Sequence, residues 1–514
     1  MIRALRHVTR LIQIARLLAR HDALFLLETL KIAPPVVWLA RLMSAKNTEG
    51  RPGQRLARAL GEAGPSFIKL GQALSTRADL LGEEMAADLS DLQDKLPPFS
   101  GSEARAAIAA EFGTPPETMF TEFDDAAIAA ASIAQVHFAT TEEGEAVAVK
   151  VLRPGIERAF GRDLDLFLWV AELIEKARPD WRRLKPVESV RTLAHSVEIE
   201  MDLRFEAAAC AELAENFADD DTFHVPNVDW TRTGKRVMTT TRIAGIPIDD
   251  GEALRAAGHD LDDIIAKSAA AFFKQIFRDG FFHADLHPGN LFVQADGSIA
   301  AVDFGIMGRL DRRTRRYLAE MLLGFLSRDY RRAAEVHFEA GWVPGHHSVE
   351  AFTQACRSIA EPILDKPQNE ISIARLLAHL FQVTETFDME AQPQLLLLQK
   401  TMLVAEGTVR RLNPEANMWM LARPLIEDWM TEYMKPELVL AEEISDLTAT
   451  MRRLPSLLEG MEKSSRAIAG GGLRLHPDSV NALRRPDNGS WSRTVAFGMI
   501  GLTALIVLLL TAVF

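Results

Sequence analysis

Three oxygen-bearing side chains stand close together late in this chain. Asp285 and Asn290 lie in FFHADLHPGNLFV, Phe281 to Val293, and Asp303 follows in VDFG, Val302 to Gly305. Two carboxylates and an amide at this spacing suit the positioning of a hydroxyl nucleophile while Mg2+ is held against nucleotide phosphates. The chemistry implied is transfer or hydrolysis of a phosphoryl group.

Such a site also needs a cation and a carboxylate to hold it. In AVAVKVL, Ala146 to Leu152, strand alternation puts Ala148 and Lys150 on one face. A lysine there neutralises α/β-phosphate oxygens, and the small Ala148 leaves room for a flat base. Its acid partner is sought in EIEMDLRFEAAACAEL, which offers Glu200, Asp202 and Glu206. Read as one helix, Asp202 and Glu206 share a face, whereas Glu200 and Asp202 do not. One of the three orients Lys150; the competing reading is a solvated acidic stripe. Ahead of the strand, Ala129-Ala130-Ala131-Ser132-Ile133-Ala134-Gln135-Val136 keeps the frame G-x-G-x-x-G-x-V, with Ala129, Ala131 and Ala134 at the glycine positions. The added methyl groups restrict positive φ, so the loop is expected to cradle phosphates less closely than a glycine-rich one. His283 and His287 flank Asp285 without further Cys or His nearby, and are expected to brace the loop rather than bind metal. The step from Asp285 to Asn290 matches the kinase catalytic loop, and Asp303-Phe304-Gly305 its metal-binding DFG. HxDxHPGN is nevertheless closer to small-molecule kinases than to the HRDxKxxN of protein kinases.

These residues need elements to carry them. Helices are predicted over 65–81, 101–112 and 187–217, strands around 133–138, 146–152 and 237–243, and a turn at Gly245-Ile246-Pro247. Mainly helical sequence follows, apart from short strands around the catalytic motifs. A strand-rich small lobe before a helical large lobe makes the expected fold class α+β, a protein-kinase-like two-lobe fold.

Composition narrows the function classes. Hydrophobic residues make up 48% and charged residues 25%, ordinary for a globular protein, and 514 residues point to more than one folded unit. A net charge of −13 argues against a wholly basic nucleic-acid binder. Only Cys210 and Cys356 occur, which leaves no disulfide framework or zinc cluster and fits a reducing compartment. The stretch from Thr494 to Phe514 holds 21 residues without a charge. As a helix it would span about 30 Å, one hydrocarbon core. Arg484, Arg485 and Arg493 precede it, which predicts a single-pass C-terminal anchor with the body in the cytoplasm. At the other end Arg3, Arg6, Arg10, Arg16 and Arg20 recur near helical spacing opposite Leu5, Val8, Ile12, Ala15 and Leu18. This basic helix lies on an anionic membrane or docks on the protein's own surface, with a mitochondrial transit peptide as the weaker third reading.

One more motif identifies a family. Pro65-Ser66-Phe67-Ile68-Lys69-Leu70-Gly71-Gln72 contains Lys-x-Gly-Gln; in a helix Lys69, Gln72 and Thr76 form a polar stripe opposite Phe67, Leu70 and Leu74. With the alanine-rich loop, Glu200-x-Asp202, HADLHPGN and QKTMLVAEGTVRRLNP ending at Pro414, the chain closely resembles the UbiB family of atypical kinase-like proteins from about Gly61 onward. The resemblance implies a KxGQ extension packed across the active site, with Lys69 and Gln72 facing Glu200 and Asp202. It implies that Lys150 pairs with Glu206, that Asp285 is the catalytic-loop aspartate, and that Asn290 and Asp303 hold Mg2+. Ala131 becomes the alanine that limits nucleotide handling. In the hinge-like segment 237–245, Thr241 replaces an acidic residue and Arg242 an aromatic one.

The domains expected are a basic amphipathic helical region at 1–50, the KxGQ extension at 51–125 and a kinase-like N-lobe at 126–248. A helical C-lobe at 249–440, a tether at 441–490 and a transmembrane anchor at 491–514 complete the chain. The implied function is an ATP-binding ATPase at the bacterial inner membrane that supports ubiquinone biosynthesis. Its expected partners are membrane lipids, isoprenoid quinone precursors and quinone-biosynthesis proteins, without nucleic acid. A prenyl-lipid or other small-molecule kinase and a non-catalytic membrane scaffold are the alternatives.

Overall fold

The computed structural model describes residues 2–24, 49–75, 82–90, 92, 96–177, 185–362, 379, 382–389, 392–413 and 418–433. Thr76, the expected tether at 441–490 and the expected anchor at 491–514 lie outside the described residues. No helix among the described residues is long and apolar enough to cross a membrane.

Among the described residues, five helices precede the first sheet: α1 (Ile2–Arg20), α2 (Pro52–Ala63), α3 (Pro65–Ser75), α4 (Glu83–Ser90) and α5 (Gly101–Phe112). Leu56, Leu60, Phe67, Ile68 and Leu89 are buried among α2, α3 and α4. Gly71 packs closely there, since a Cβ would come 2.9 Å from Leu60 Cδ1 and the leucine would have to shift. One arginine of α1 is committed to the body, whereas Arg16 and Arg20 are exposed. Arg10 donates through Nε and Nη2 to Asp163 at 3.0 and 3.1 Å, and its guanidinium lies over the Phe67 ring. His7 meets Asp165 at 2.9 Å.

The sheet begins at β1 (Phe120–Phe123), where Phe120 faces the same small core as the strands that follow. β2 (Ala129–Ala130), β3 (Ala134–Thr141) and β4 (Ala146–Leu152) lead into α6 (Ile156–Ala177), α7 (Pro186–Glu200), α8 (Leu203–Asn216), β5 (Phe223–His224) and β6 (Val237–Thr241). The strands run β1-β3-β4-β6, all antiparallel, with β2 paired to β3. Val147, Val149 and Val151 bury one face of β4 against Ile108, Phe120 and Val237, so Ala148 and Lys150 occupy the other. The helix predicted over 187–217 breaks in two. Asp202 is extended (φ −122°, ψ 93°) and its carboxylate accepts from the Arg204 N–H, so it caps α8 instead of continuing α7. Asp202 and Glu206 therefore do not share a helical face as the unbroken reading supposed.

A mainly helical half follows. Its order is β7 (Ile246–Pro247), α9 (Gly251–Ala256), α10 (Leu261–Phe273), a π-helical turn (Lys274–Asp279), β8 (Phe281–His283), β9 (Leu291–Val293), β10 (Ile299–Ala301) and β11 (Met307–Arg309). Next come α11 (Arg312–Leu326), α12 (Tyr330–Glu339), α13 (Val349–Ala360), α14 (Pro393–Leu412) and α15 (Met418–Tyr433). The predicted turn at Gly245–Pro247 is instead the edge strand β7, where a missing proline N–H breaks no ladder. Gly245 lets it close on β9, for a Cβ would sit 2.7 Å from the Val293 carbonyl oxygen. Phe272, Phe273, Ile276, Phe277 and Phe282 build the core on which both catalytic-motif ribbons rest. Arg315 donates to the Phe277 and Arg278 carbonyls at 2.9 and 2.7 Å, satisfying oxygens that the π turn leaves over.

Candidate active site

Lys150 projects from β4 into a pair of carboxylates. Its Nζ lies 2.6 Å from Glu206 Oε1 on α8 and 3.0 Å from Asp303 Oδ1. The Lys150 ammonium outweighs burial and holds Asp303 down at about 2, so this carboxylate is ionised. Burial pushes Glu206 upward, against the pull of Lys150 and with added repulsion from Asp303. Burial lowers Lys150, but the two acids more than reverse it and leave its pKa raised. Asp303 adopts a left-handed backbone (φ +63°), unusual for a residue with a Cβ. That conformation turns its carboxylate to the lysine.

Asp285 and Asn290 belong to a loop fastened to the Asp303 segment. Asn290 Nδ2 donates to the Asp285 carbonyl at 3.0 Å, and the Val302 N–H donates to the Asn290 carbonyl at 2.9 Å. The Ala284 N–H reaches the Ile306 carbonyl at 3.0 Å. Both histidines brace this loop. His283, fully buried, accepts from the Asp285 N–H at Nδ1 (3.1 Å), which leaves Nε2–H to donate to the Val302 carbonyl (3.2 Å). Burial lowers its pKa and keeps the ring neutral. His287 Nδ1 accepts from the Gly289 N–H at 3.1 Å. The donor chemistry fits a hard divalent cation: an ionised Asp303, and an Asn290 whose amide nitrogen is already engaged, so that its carbonyl oxygen is the group left to bind.

The alanine-rich turn divides its three alanines between roles. Ala134 is buried in the main core, Ala131 is half-buried and Ala129 is exposed. The Ala131 N–H donates to the Ala134 carbonyl at 2.8 Å. Its carbonyl accepts both Nε and Nη2 of Arg153 at 3.0 and 2.9 Å. Arg153, which the sequence reading passed over, also stacks on Phe99 and so ties the turn to the segment before α5. Ser132 Oγ in the same turn is buried with no partner among the described residues. At the hinge, Thr241 Oγ1 accepts from the Asn227 N–H at 2.9 Å and Arg242 lies 3.7 Å over the Phe138 ring. Both replaced side chains are thus taken up structurally.

In the extension, Lys69 on α3 pairs with Glu200 Oε2 at 2.8 Å, both largely buried. Asp202 is turned to Arg204 at 2.6 Å, and Gln72 is half-buried on α3. Of the residues picked from sequence, Lys150, Glu206 and Asp303 form one cluster, Asp285 and Asn290 a second hydrogen-bonded to it through Val302, and Lys69 and Glu200 a third. A further residue enters from far along the chain. Lys400 on α14 sits 3.2 Å from Asp285 Oδ1, and neighbouring Thr401 donates to the Ala284 carbonyl at 3.1 Å. The polar triplet Gln399-Lys400-Thr401 inside a run of Leu and Met was the available signal.

Comparison with known proteins bears on the fold and the family. The ABC1 atypical kinase-like domain matches residues 91–337, and the UbiB helical domain matches residues 356–417. A probable protein kinase UbiB from Marinobacter nauticus is 44% identical over 409 residues, covering 79% of this chain and 75% of that one. Another from Pseudomonas putida is 38% identical over 512 residues, covering 96% and 92%. The solved complex of Rv3197 with erythromycin from Mycobacterium tuberculosis aligns with a TM-score of 0.51 and 25% identity, covering 71% of this chain and 93% of that one. The expected kinase-like combination of helices and sheets is therefore the fold of this chain.

Proposed function

Because this chain belongs to the UbiB family of atypical kinase-like proteins, we propose that it is a Mg2+-dependent ATPase at the bacterial inner membrane that supports ubiquinone biosynthesis. On this reading it handles lipid-like quinone precursors and does not phosphorylate proteins. The observation that carries the catalytic part is the convergence of Lys150, Glu206 and Asp303 within 3.0 Å contacts beside the Asp285–Asn290 loop.

Each group has a role in that reaction. Glu206 holds Lys150 pointed at the α/β-phosphates. Asn290 and Asp303 offer the oxygens for Mg2+, which would neutralise phosphate charge when bound. Asp285 orients the attacking water and takes its proton. The buried Ser132 hydroxyl is an unsatisfied donor in the turn that would close over the phosphates. The Lys69–Glu200 pair supports exclusion of protein substrates, because it fixes α3 beside the start of α8, the helix that carries Glu206. Membrane attachment through the uncharged segment 494–514 completes the proposal.

The second reading, transfer to a prenyl lipid or its head group, is favoured by one feature, the HxDxHPGN form of the loop. One comparison separates the two. ATP loss and lipid phosphorylation are followed for wild type, Asp285→Asn and Asp303→Asn with anionic vesicles and quinone precursors. Phosphate release without a labelled lipid is the expected result, falling on the order of 100-fold or more in Asp303→Asn. A labelled lipid would favour the second reading. Activity indifferent to both substitutions would leave only a scaffold.

A further inference from the structure

The catalytic loop lacks a cation of its own. Between Asp285 and Asn290 the residues are Leu286, His287, Pro288 and Gly289, and His287 is occupied in accepting the Gly289 N–H. Phosphoryl transfer at this position concentrates negative charge from the carboxylate and the phosphate oxygens together. The missing cation arrives from the helical domain instead. Lys400 on α14 places its ammonium 3.2 Å from Asp285 Oδ1. Thr401, 1% exposed, anchors the helix one residue later, through its bond to the Ala284 carbonyl. Two consecutive residues of α14 thus grip two consecutive residues of the loop, side chain to carboxylate and hydroxyl to carbonyl. Leu398 sits in the main core just before them, which fixes the helix's rotation. Lys400 keeps 48% exposure and Asp285 keeps 38%, so the ammonium has room to leave the carboxylate for an incoming anion.

We propose that Lys400 is a catalytic residue that binds the γ-phosphate of ATP, exchanging its contact with Asp285 for one with the phosphoryl oxygens. The proposal rests on the ATPase reading above and assigns part of that active site to the helical domain. In the step it serves, Asp285 takes a proton from water as the water oxygen bonds to the γ-phosphorus. The bond from that phosphorus to the bridging oxygen breaks, and its electron pair departs on ADP. Lys400 stays protonated throughout and offsets charge on the transferring oxygens. ADP has no γ-phosphate, so Lys400 discriminates between the two nucleotides.

The test is calorimetric binding of ATP and ADP, with Mg2+, to the full chain in wild-type, Lys400→Met, Lys400→Arg and Asp285→Asn/Lys400→Met forms, each checked for cooperative unfolding. Lys400→Gln replaces Lys400→Met should that variant fail to fold. ATP affinity is expected to fall about tenfold in Lys400→Met while ADP affinity holds within about twofold, as loss of one charge-assisted contact predicts. Lys400→Arg keeps most of the preference. The double variant separates phosphate binding from mere neutralisation of Asp285: it stays weak for ATP if Lys400 holds phosphate. Recovery of ATP affinity in the double variant, or an unchanged ATP-to-ADP ratio in Lys400→Met, overturns the proposal. A wild type that binds neither nucleotide instead removes the ATPase reading on which it stands.

Discussion

At Lys150 two carboxylates share one ammonium, and the charge balance of the whole cleft depends on it. Removing the lysine leaves Glu206, 10% exposed, and Asp303 facing each other without compensation. Lys150→Met is expected to cost about 3–5 kcal/mol, the usual effect of stripping one partner from a buried pair. Lys150→Met/Glu206→Met should recover at least about 1 kcal/mol of that loss, since one uncompensated carboxylate goes with it. Urea unfolding of the two variants measures this; a double variant no more stable than Lys150→Met would mean that Glu206 is not held by the lysine. Lys150 and Asp303 were legible because each sits in a short motif whose backbone is local: AVAVKVL alternates and VDFG turns; Glu206 was singled out from three acids only by the family resemblance. Lys400 and Arg153 were not, since nothing in local spacing says that α14 reaches Asp285 or that a guanidinium grips the Ala131 carbonyl.

Among the elements, the junction of α7 and α8 decides how the extension meets the cleft. A single helix over 187–217 would have carried Glu200 and Glu206 in one rigid register. Asp202 breaks it by capping α8, and Glu200 then stands at the last position of α7, 2.8 Å from Lys69. Periodicity could not reveal the break, because apolar residues continue through it, and the one signal was Asp202 itself, a preferred N-cap residue. The Lys69–Glu200 contact holds α3 to α7, and Phe67 adds an edge-on contact to Phe167 of α6 with centroids 4.9 Å apart. A double-mutant cycle of Lys69→Ala and Glu200→Ala is expected to show a coupling of about 0.5–3 kcal/mol. Zero coupling would mean that the ion pair does not position the extension.

For the molecule as a whole, the proposed membrane attachment has two candidate carriers, α1 and the C-terminal stretch. The sequence left α1 divided between a lipid surface and the protein itself. With Arg10 on Asp163 and over Phe67, and His7 on Asp165, the helix is engaged by α6 and α3. A helix so engaged offers fewer charges to anionic lipid, and a chain of net charge −13 is repelled by that surface overall. The proposed attachment is therefore assigned to the uncharged stretch 494–514, whose length in sequence matches one crossing. A chain ending at residue 490 should therefore lose co-sedimentation with bacterial inner-membrane vesicles while keeping wild-type ATP affinity, because every residue of the three site clusters and Lys400 precede residue 401. Restoring an unrelated apolar 21-residue segment should return the body to the vesicles. Continued co-sedimentation of the shortened chain, resistant to high salt, would place the attachment in the body and leave the tail without that role.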